Sequence, residues 1–201
     1  MISYTTYLRK FELIFPALIN ETPWDIVSNI QHILTEKIKT LGSEYHIQKD
    51  IAIHKGAQLE EHVILKGPII ISDRCFIAAH AYLRGGVFVG EKCVIGPGCE
   101  VKSSMVMPES ALAHFNFVGD SLLGSGVNME AGSILANHHN DRHDKTIYVS
   151  IDGKKVKISS IKFGSLIGDA TKIGANAVLS PGTILLPNSI VKRLQLIEPC
   201  G

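Results

Sequence analysis

Two cations, one imidazole and a set of amides carry the chemistry open to this chain. Arg84 and Lys102 stand 18 residues apart, each directly after a branched apolar residue, Leu83 and Val101. If the backbone returns on itself every 18 residues, the two cations stack. Like charges brought together ask for an anion, and phosphate suits both donor types. Read this way, both side chains point outward and either could be removed at little cost to stability; two solvated surface charges are the alternative. His114 lies in the run Ala113-His114-Phe115-Asn116-Phe117-Val118-Gly119-Asp120. A neutral imidazole can take a proton from an amine or hydroxyl that attacks an acyl group. A lone histidine can equally be structural. Asn128, Asn137 and Lys145 are ordinary polar residues when taken singly.

The elements that must position these groups follow from a six-residue period. Branched apolar residues fall at Ile53, Leu59, Leu65, Ile71, Ile77, Leu83, Val89, Ile95 and Val101. Small or apolar residues follow four later, at Ala57, Val63, Ile69, Cys75, Ala81, Val87, Cys93, Cys99 and Met105. A helix would bury every third or fourth residue and a simple strand every second, so neither explains an unbroken six. A β-helix does, with a short strand, a corner and one inward branched side chain per face. The phase slips one residue short after Val101 and again after Val118. It runs on through Val106, Leu112 and Val118, then Leu123, Met129 and Leu135, and returns at Ile161, Ile167, Ile173, Leu179 and Leu185.

Composition narrows the function. Lys plus Arg number 20 against 19 Asp plus Glu, so no basic excess points to nucleic acid and no charge run to an interaction tail. The apolar patch Phe11 to Ile19 is interrupted by Glu12 and Pro16, which argues against a signal peptide. Nothing approaches the roughly 20 apolar residues of a membrane span. A cytoplasmic protein is expected. Cys75, Cys93 and Cys99 share one inward slot and read as small core residues.

Three segments are expected. Residues 1–50 form an arm and a capping helix. Met1 to Asn20 reads as strand or irregular, then Thr22-Pro23-Trp24-Asp25 starts a helix whose apolar stripe runs to Ile38 and ends at Gly42. Solenoid ends need covering, so this helix is expected on the open first turn. Residues 51–192 form the β-helix, interrupted over 138–160. There Ile147 to Ser150 and Val156 to Ser159 flank Asp152-Gly153, a hairpin read as projecting from a corner. Residues 193–201 are expected to be a frayed tail.

Repeats such as Ile173-Gly174-Ala175-Asn176-Ala177-Val178 resemble the bacterial transferase hexapeptide family. The run Ala113 to Ser121, followed by Val127-Asn128 and Ala136-Asn137, resembles the acetyltransferase half of a bifunctional family. That family combines a glucosamine-1-phosphate acetyltransferase with an N-acetylglucosamine-1-phosphate uridyltransferase, and has archaeal sugar-phosphate relatives. The resemblance covers about Ile77 to Ile190. It implies an all-β fold, a left-handed parallel β-helix with an N-terminal helical cap and a β-hairpin excursion, although the general preference for right-handed crossovers argues the other way. It also implies trimers with sites between subunits. Carried over by position, His114 matches the catalytic base and Arg84 and Lys102 the phosphate pair. Asn128 and Asn137 match sugar contacts, and Lys145 a lysine following the sugar-binding asparagine. Phe117 stands where the bacterial enzymes carry a tyrosine. Ala131 matches a backbone contact to acetyl-CoA, and a serine near Ser165 another. The nucleotidyltransferase domain and basic C-terminal tail of those enzymes have no counterpart here, so this chain alone is not expected to make a nucleotide sugar.

The expectation is therefore an acetyl-CoA-dependent acetyltransferase acting on an amino-sugar phosphate or nucleotide sugar, with no metal, nucleic acid or membrane partner. Two alternatives use the same fold. One is a non-enzymatic sugar-phosphate sensor or scaffold. The other is a zinc carbonic anhydrase of the hexapeptide class, for which His138 and His143 are spaced as two ligands; its third histidine is missing, with Lys102 and Met107 near that place.

Overall fold

One branched side chain in six turns inward, and the backbone coils around that apolar axis as a three-sided parallel solenoid. The computed structural model describes residues 2–199. Face I is a seven-stranded parallel sheet whose inward residues are Leu59, Ile77, Ile95, Leu112, Met129, Ile173 and Val191. A turn thus takes 18 residues, 17 in the two turns where the sequence phase slips, and 44 where the insertion sits. Face II carries Ile64–Lys66, Phe117–Gly119, Ile134–Leu135, Val178–Leu179 and Leu196–Ile197. Face III carries Ile51–His54, Ile69–Ile71, Leu122–Leu123, Ser165–Ile167 and Thr183–Leu185. The strands Tyr82–Val89 and Glu100–Val106 turn the corner from face II to face III.

The corners explain the period. Each needs a residue in the left-handed backbone region, found at Arg74, His80, Gly86, Lys92 and Gly98 in strict steps of six. The next are Ser103, Glu109, Phe115, Asp120, Gly126 and Gly132, and the steps into Ser103 and Asp120 are five. Those two short corners are the phase slips.

The interior is a continuous stack of buried Ile, Leu, Val, Met and Cys side chains. Burial pushes the Cys75 thiol up to about 11 and the Cys93 thiol up to about 12. Each donates to a carbonyl, Cys75 to Gly90 at 2.9 Å and Cys93 to Met107 at 3.1 Å. All three thiols of the inward slot are free. They are neutral packing groups, not nucleophiles.

A second core lies outside the prism. Face III is apolar on both sides. Between the inward residues of Ile69-Ile70-Ile71 and Val87-Phe88-Val89, the outward Ile70 and Phe88 are buried too, as are Met105, Leu122 and Leu166. Four short helices cover them: α1 (Tyr4–Tyr7), α2 (Phe11–Ile14), α3 (Pro23–Ser28) and α4 (Ile30–Ile38). Phe15 meets Phe88 edge-on at 5.0 Å, and Trp24 meets Phe163 at 5.9 Å. Gly86 lets α4 come this close: a Cβ there would stand 2.7 Å from the Ile30 Cγ2 and 3.3 Å from the Gln31 backbone nitrogen.

Several expectations need correcting. The helical segment packs along the side of the solenoid rather than over its first turn, because the side carries the larger unpartnered apolar surface. Residues 4–18 are short helices, not an irregular arm. Thr22 does cap, accepting the Asp25 N–H at 3.3 Å, but the helix breaks at Asn29 and ends at Ile38, four residues before Gly42. The hairpin forms as Tyr148–Ile151 and Lys154–Lys157, with Asp152 and Gly153 both left-handed in its turn. It does not project freely: Ile147, Val149 and Ile158 are buried in the second core. Ile161 is 62% exposed, and the ladder resumes only at Ser165. The ladder also runs past residue 192, since Leu196–Ile197 pairs with Val178–Leu179 as a last rung. Cys200 and Gly201 of the expected tail lie outside the described residues.

Candidate functional site

Arg84 and Lys102 are register partners on face II, each flanking an inward, fully buried residue. Neighbouring strands lie about 4.8 Å apart, which sets the spacing of the stacked cations. Neither cation is free. Arg84 donates to Glu100 from Nε at 2.8 Å and lies 2.7 Å from it through Nη2. Lys102 donates to Asp120 at 2.7 Å and reaches Ser103 at 3.3 Å. Asp120 also accepts from the Asn137 side-chain amide. The Asn137 carbonyl oxygen lies 3.3 Å from the His138 Nδ1.

Lys102 is therefore not the outward, dispensable charge expected. Its side chain is 17% exposed and that of Asp120 is 9%. Removing the lysine would leave a nearly buried carboxylate with only an amide partner, a penalty of about 1–3 kcal/mol. Arg84 is more exposed and matches the expectation better.

His114 sits at the opposite edge of the same face, in the corner leading from face I to face II. Its backbone carbonyl accepts the Gly132 N–H at 2.9 Å, and its side chain is exposed. Among the described residues nothing hydrogen-bonds the imidazole to orient it. Phe115 stands beside it, exposed, with its ring over Gly98. Ala131 occupies the equivalent corner one turn on. Phe117 lies on face II with its ring against Gly119, the register partner of Lys102.

The remaining residues scatter. Asn128 is on face I, around the corner from the cations, in register with Ala111 and Lys172. Lys145 belongs to the insertion, where its ammonium reaches the Asn140 carbonyl at 3.5 Å. Ser165 is fully buried on face III: its N–H donates to the Ser121 hydroxyl at 2.9 Å and its own hydroxyl has no partner. It faces the interior, so the proposed acetyl-CoA contact at Ser165 is corrected. The phase error through Ile161 made its register unreadable. Among the described residues no three His, Cys, Asp or Glu side chains form a metal ligand group.

Sequence reasoning missed a groove of about 660 Å³ running down face I from Asn128. Lys172, Lys192 and Arg193 line it. Arg193 clamps Glu130 through two bonds of 2.7 and 2.9 Å, and Glu130 also accepts the Ala175 N–H at 2.9 Å. The Arg193 bond, helped by that N–H, holds the Glu130 carboxyl below its usual range. The signal was present, since Lys172 lies one turn from Asn128 once the insertion is removed.

The family described as GMPPB C-terminal domain matches residues 65–193, well over half of the chain. "Bifunctional protein GlmU" of Methanococcus vannielii is 32% identical over 180 residues, covering 88% of this chain and 43% of that protein. The protein of the same name from Methanocaldococcus jannaschii is 37% identical over 194 residues, with the same coverage. A "Bifunctional sugar-1-phosphate nucleotidylyltransferase/acetyltransferase" of Sulfurisphaera tokodaii is 33% identical over 104 residues, 49% of this chain and 25% of that one. The chain thus spans less than half the length of these relatives. The stacked parallel rungs and the match across most of them lead to one assignment: the chain belongs to the GMPPB C-terminal domain family, with the hexapeptide-repeat solenoid of GlmU-like transferases.

Proposed function

We propose that this protein is an acyltransferase that uses acetyl-CoA to acetylate an amino-sugar phosphate or a nucleotide sugar. The observation that carries the reading is the in-register stack of Arg84 on Lys102 on a face whose other edge presents the exposed His114. The names of the archaeal relatives, GlmU and sugar-1-phosphate nucleotidylyltransferase/acetyltransferase, supply the class of acceptor.

In this reading Arg84 and Lys102 hold the acceptor phosphate, and Phe117 packs against the sugar between the two edges. Asn137 orients the sugar from the cation side and Asn128 from around the corner, with Lys145 reaching in from the insertion. His114 takes a proton from the acceptor amine as it attacks. Acetyl-CoA would supply the acyl thioester. The face I groove suits it, because Lys172 and Lys192 offer cations to its phosphates beside the Arg193–Glu130 pair. The backbone N–H of Ala131 would face the thioester oxygen, where a fixed donor lowers the barrier. A left-handed coil and a cytoplasmic setting belong to the same reading.

Among the described residues the imidazole has no orienting partner, which fits a site completed by a second subunit. The expected assembly is a homotrimer. Multi-angle light scattering at micromolar concentration should return three chain masses; a monomer would remove the shared site. The same observation also favours a second reading, a sensor that binds the sugar phosphate without transfer.

The anion site is tested by binding. In isothermal titration with glucosamine-1-phosphate, Arg84→Ala should weaken affinity about tenfold or more, the size of a charge-assisted hydrogen bond, with an unchanged melting temperature. Lys102→Ala should weaken it similarly and also lower the melting temperature. Unchanged affinity in both variants would show two structural ion pairs instead.

A further inference from the structure

The cation stack does not stop at two. Lys66 is the register partner of Arg84 on the preceding turn, so Lys66, Arg84 and Lys102 form one column along face II. Tyr82, two residues before Arg84 on the same strand, flanks the first two. Its ring centroid lies 5.1 Å from the Lys66 ammonium and 5.5 Å from the Arg84 guanidinium carbon.

The charge balance of this column is uneven. Arg84 is matched by Glu100 and Lys102 by Asp120. Lys66 is exposed and has no carboxylate partner among the described residues. A single phosphate between Arg84 and Lys102 therefore meets two cations already answered by carboxylates. The uncompensated charge lies one strand spacing, about 4.8 Å, further along. Across the same two turns the imidazoles of His62 and His80 are stacked, 5.4 Å apart and 7° from parallel. Both are exposed, and such a pair offers an aromatic ring face against which a base can stack.

We infer that Lys66 is a third phosphate ligand and that the acceptor carries two linked phosphates. That makes it a nucleoside-diphosphate sugar rather than a sugar monophosphate. The second phosphate lies between Lys66 and Arg84, and the nucleoside extends toward His62 and His80. This deepens the proposed function and rests on its anion site, but not on acyl transfer.

The test compares GDP with GMP and UDP with UMP by isothermal titration, on wild type, Lys66→Met and Arg84→Ala. Methionine keeps the stem of Lys66 and removes its charge at an exposed position, and a melting curve checks that the variant is folded. Wild type should bind at least one diphosphate about tenfold tighter than its monophosphate, one charge-assisted contact's worth. Lys66→Met should close that gap, and Arg84→Ala should weaken both ligands. No gap in wild type, or a gap that survives Lys66→Met, overturns the inference. If wild type binds glucosamine-1-phosphate but none of the nucleotides, the inference falls and the anion site stands. If it binds none of these, both fall.

Discussion

His114→Asn is expected to lower kcat for acetyl transfer by about 10²–10⁴-fold, the usual contribution of a positioned general base. The imidazole is exposed at the corner after Ala111–Leu112, and the fold does not lean on it: its backbone carbonyl bonds to Gly132, but among the described residues its ring bonds to nothing. Asparagine keeps a polar side chain there and removes the proton acceptor. Melting temperature and ligand affinity should therefore hold while kcat collapses, the pattern of an interaction used mainly in the transition state. Equal kcat in the two proteins would remove the base assignment.

Phe88→Ala is expected to cost about 3–5 kcal/mol, the range for a buried aromatic cut to alanine. For a chain of this size that lowers the melting temperature by roughly 6–20 °C. Phe88 points out of the solenoid, away from the inner stack that holds Val87 and Val89. It is buried, at 4% exposure, because Phe15 and the N-terminal helices cover it. On an uncovered solenoid the substitution would remove a surface residue and cost almost nothing. Thermal melts of wild type and Phe88→Ala thus distinguish a helical cover over face III from helices capping the end. A shift below 2 °C would contradict the lateral packing, taking about 0.5 kcal/mol as the ceiling for surface changes.

The solenoid was legible because its signal is periodic and redundant. One inward residue in six, repeated over many corners, survives two phase slips, and each slip reappears as a five-residue corner at Ser103 and Asp120. The register of Arg84 on Lys102 followed directly from that period. The cover was less legible. Four-residue helices such as Tyr4–Tyr7 and Phe11–Ile14 are too short to show a helical period, so residues 1–20 looked irregular. The consecutive apolar triplets Ile69-Ile70-Ile71 and Val87-Phe88-Val89 carry the pattern of a sheet buried on both faces, which the six-residue period alone does not pick out. Within the site, sequence could place Arg84 and Lys102 side by side but not show their carboxylate partners Glu100 and Asp120, which come from neighbouring turns. Lys66 follows the same 18-residue spacing and was passed over because the resemblance began later in the chain. Ser165 was misread because the 44-residue turn hides where the period resumes.

Free-thiol release reports acyl transfer from acetyl-CoA. The wild-type protein would be incubated with acetyl-CoA and either glucosamine-1-phosphate or UDP- or GDP-linked amino sugars, with His114→Asn alongside. Wild type should release thiol in an acceptor-dependent way, and His114→Asn should lose that release. No acceptor-dependent release from wild type, with ligand binding intact by titration, would contradict acyl transfer and leave a protein that binds its sugar phosphate without transferring to it.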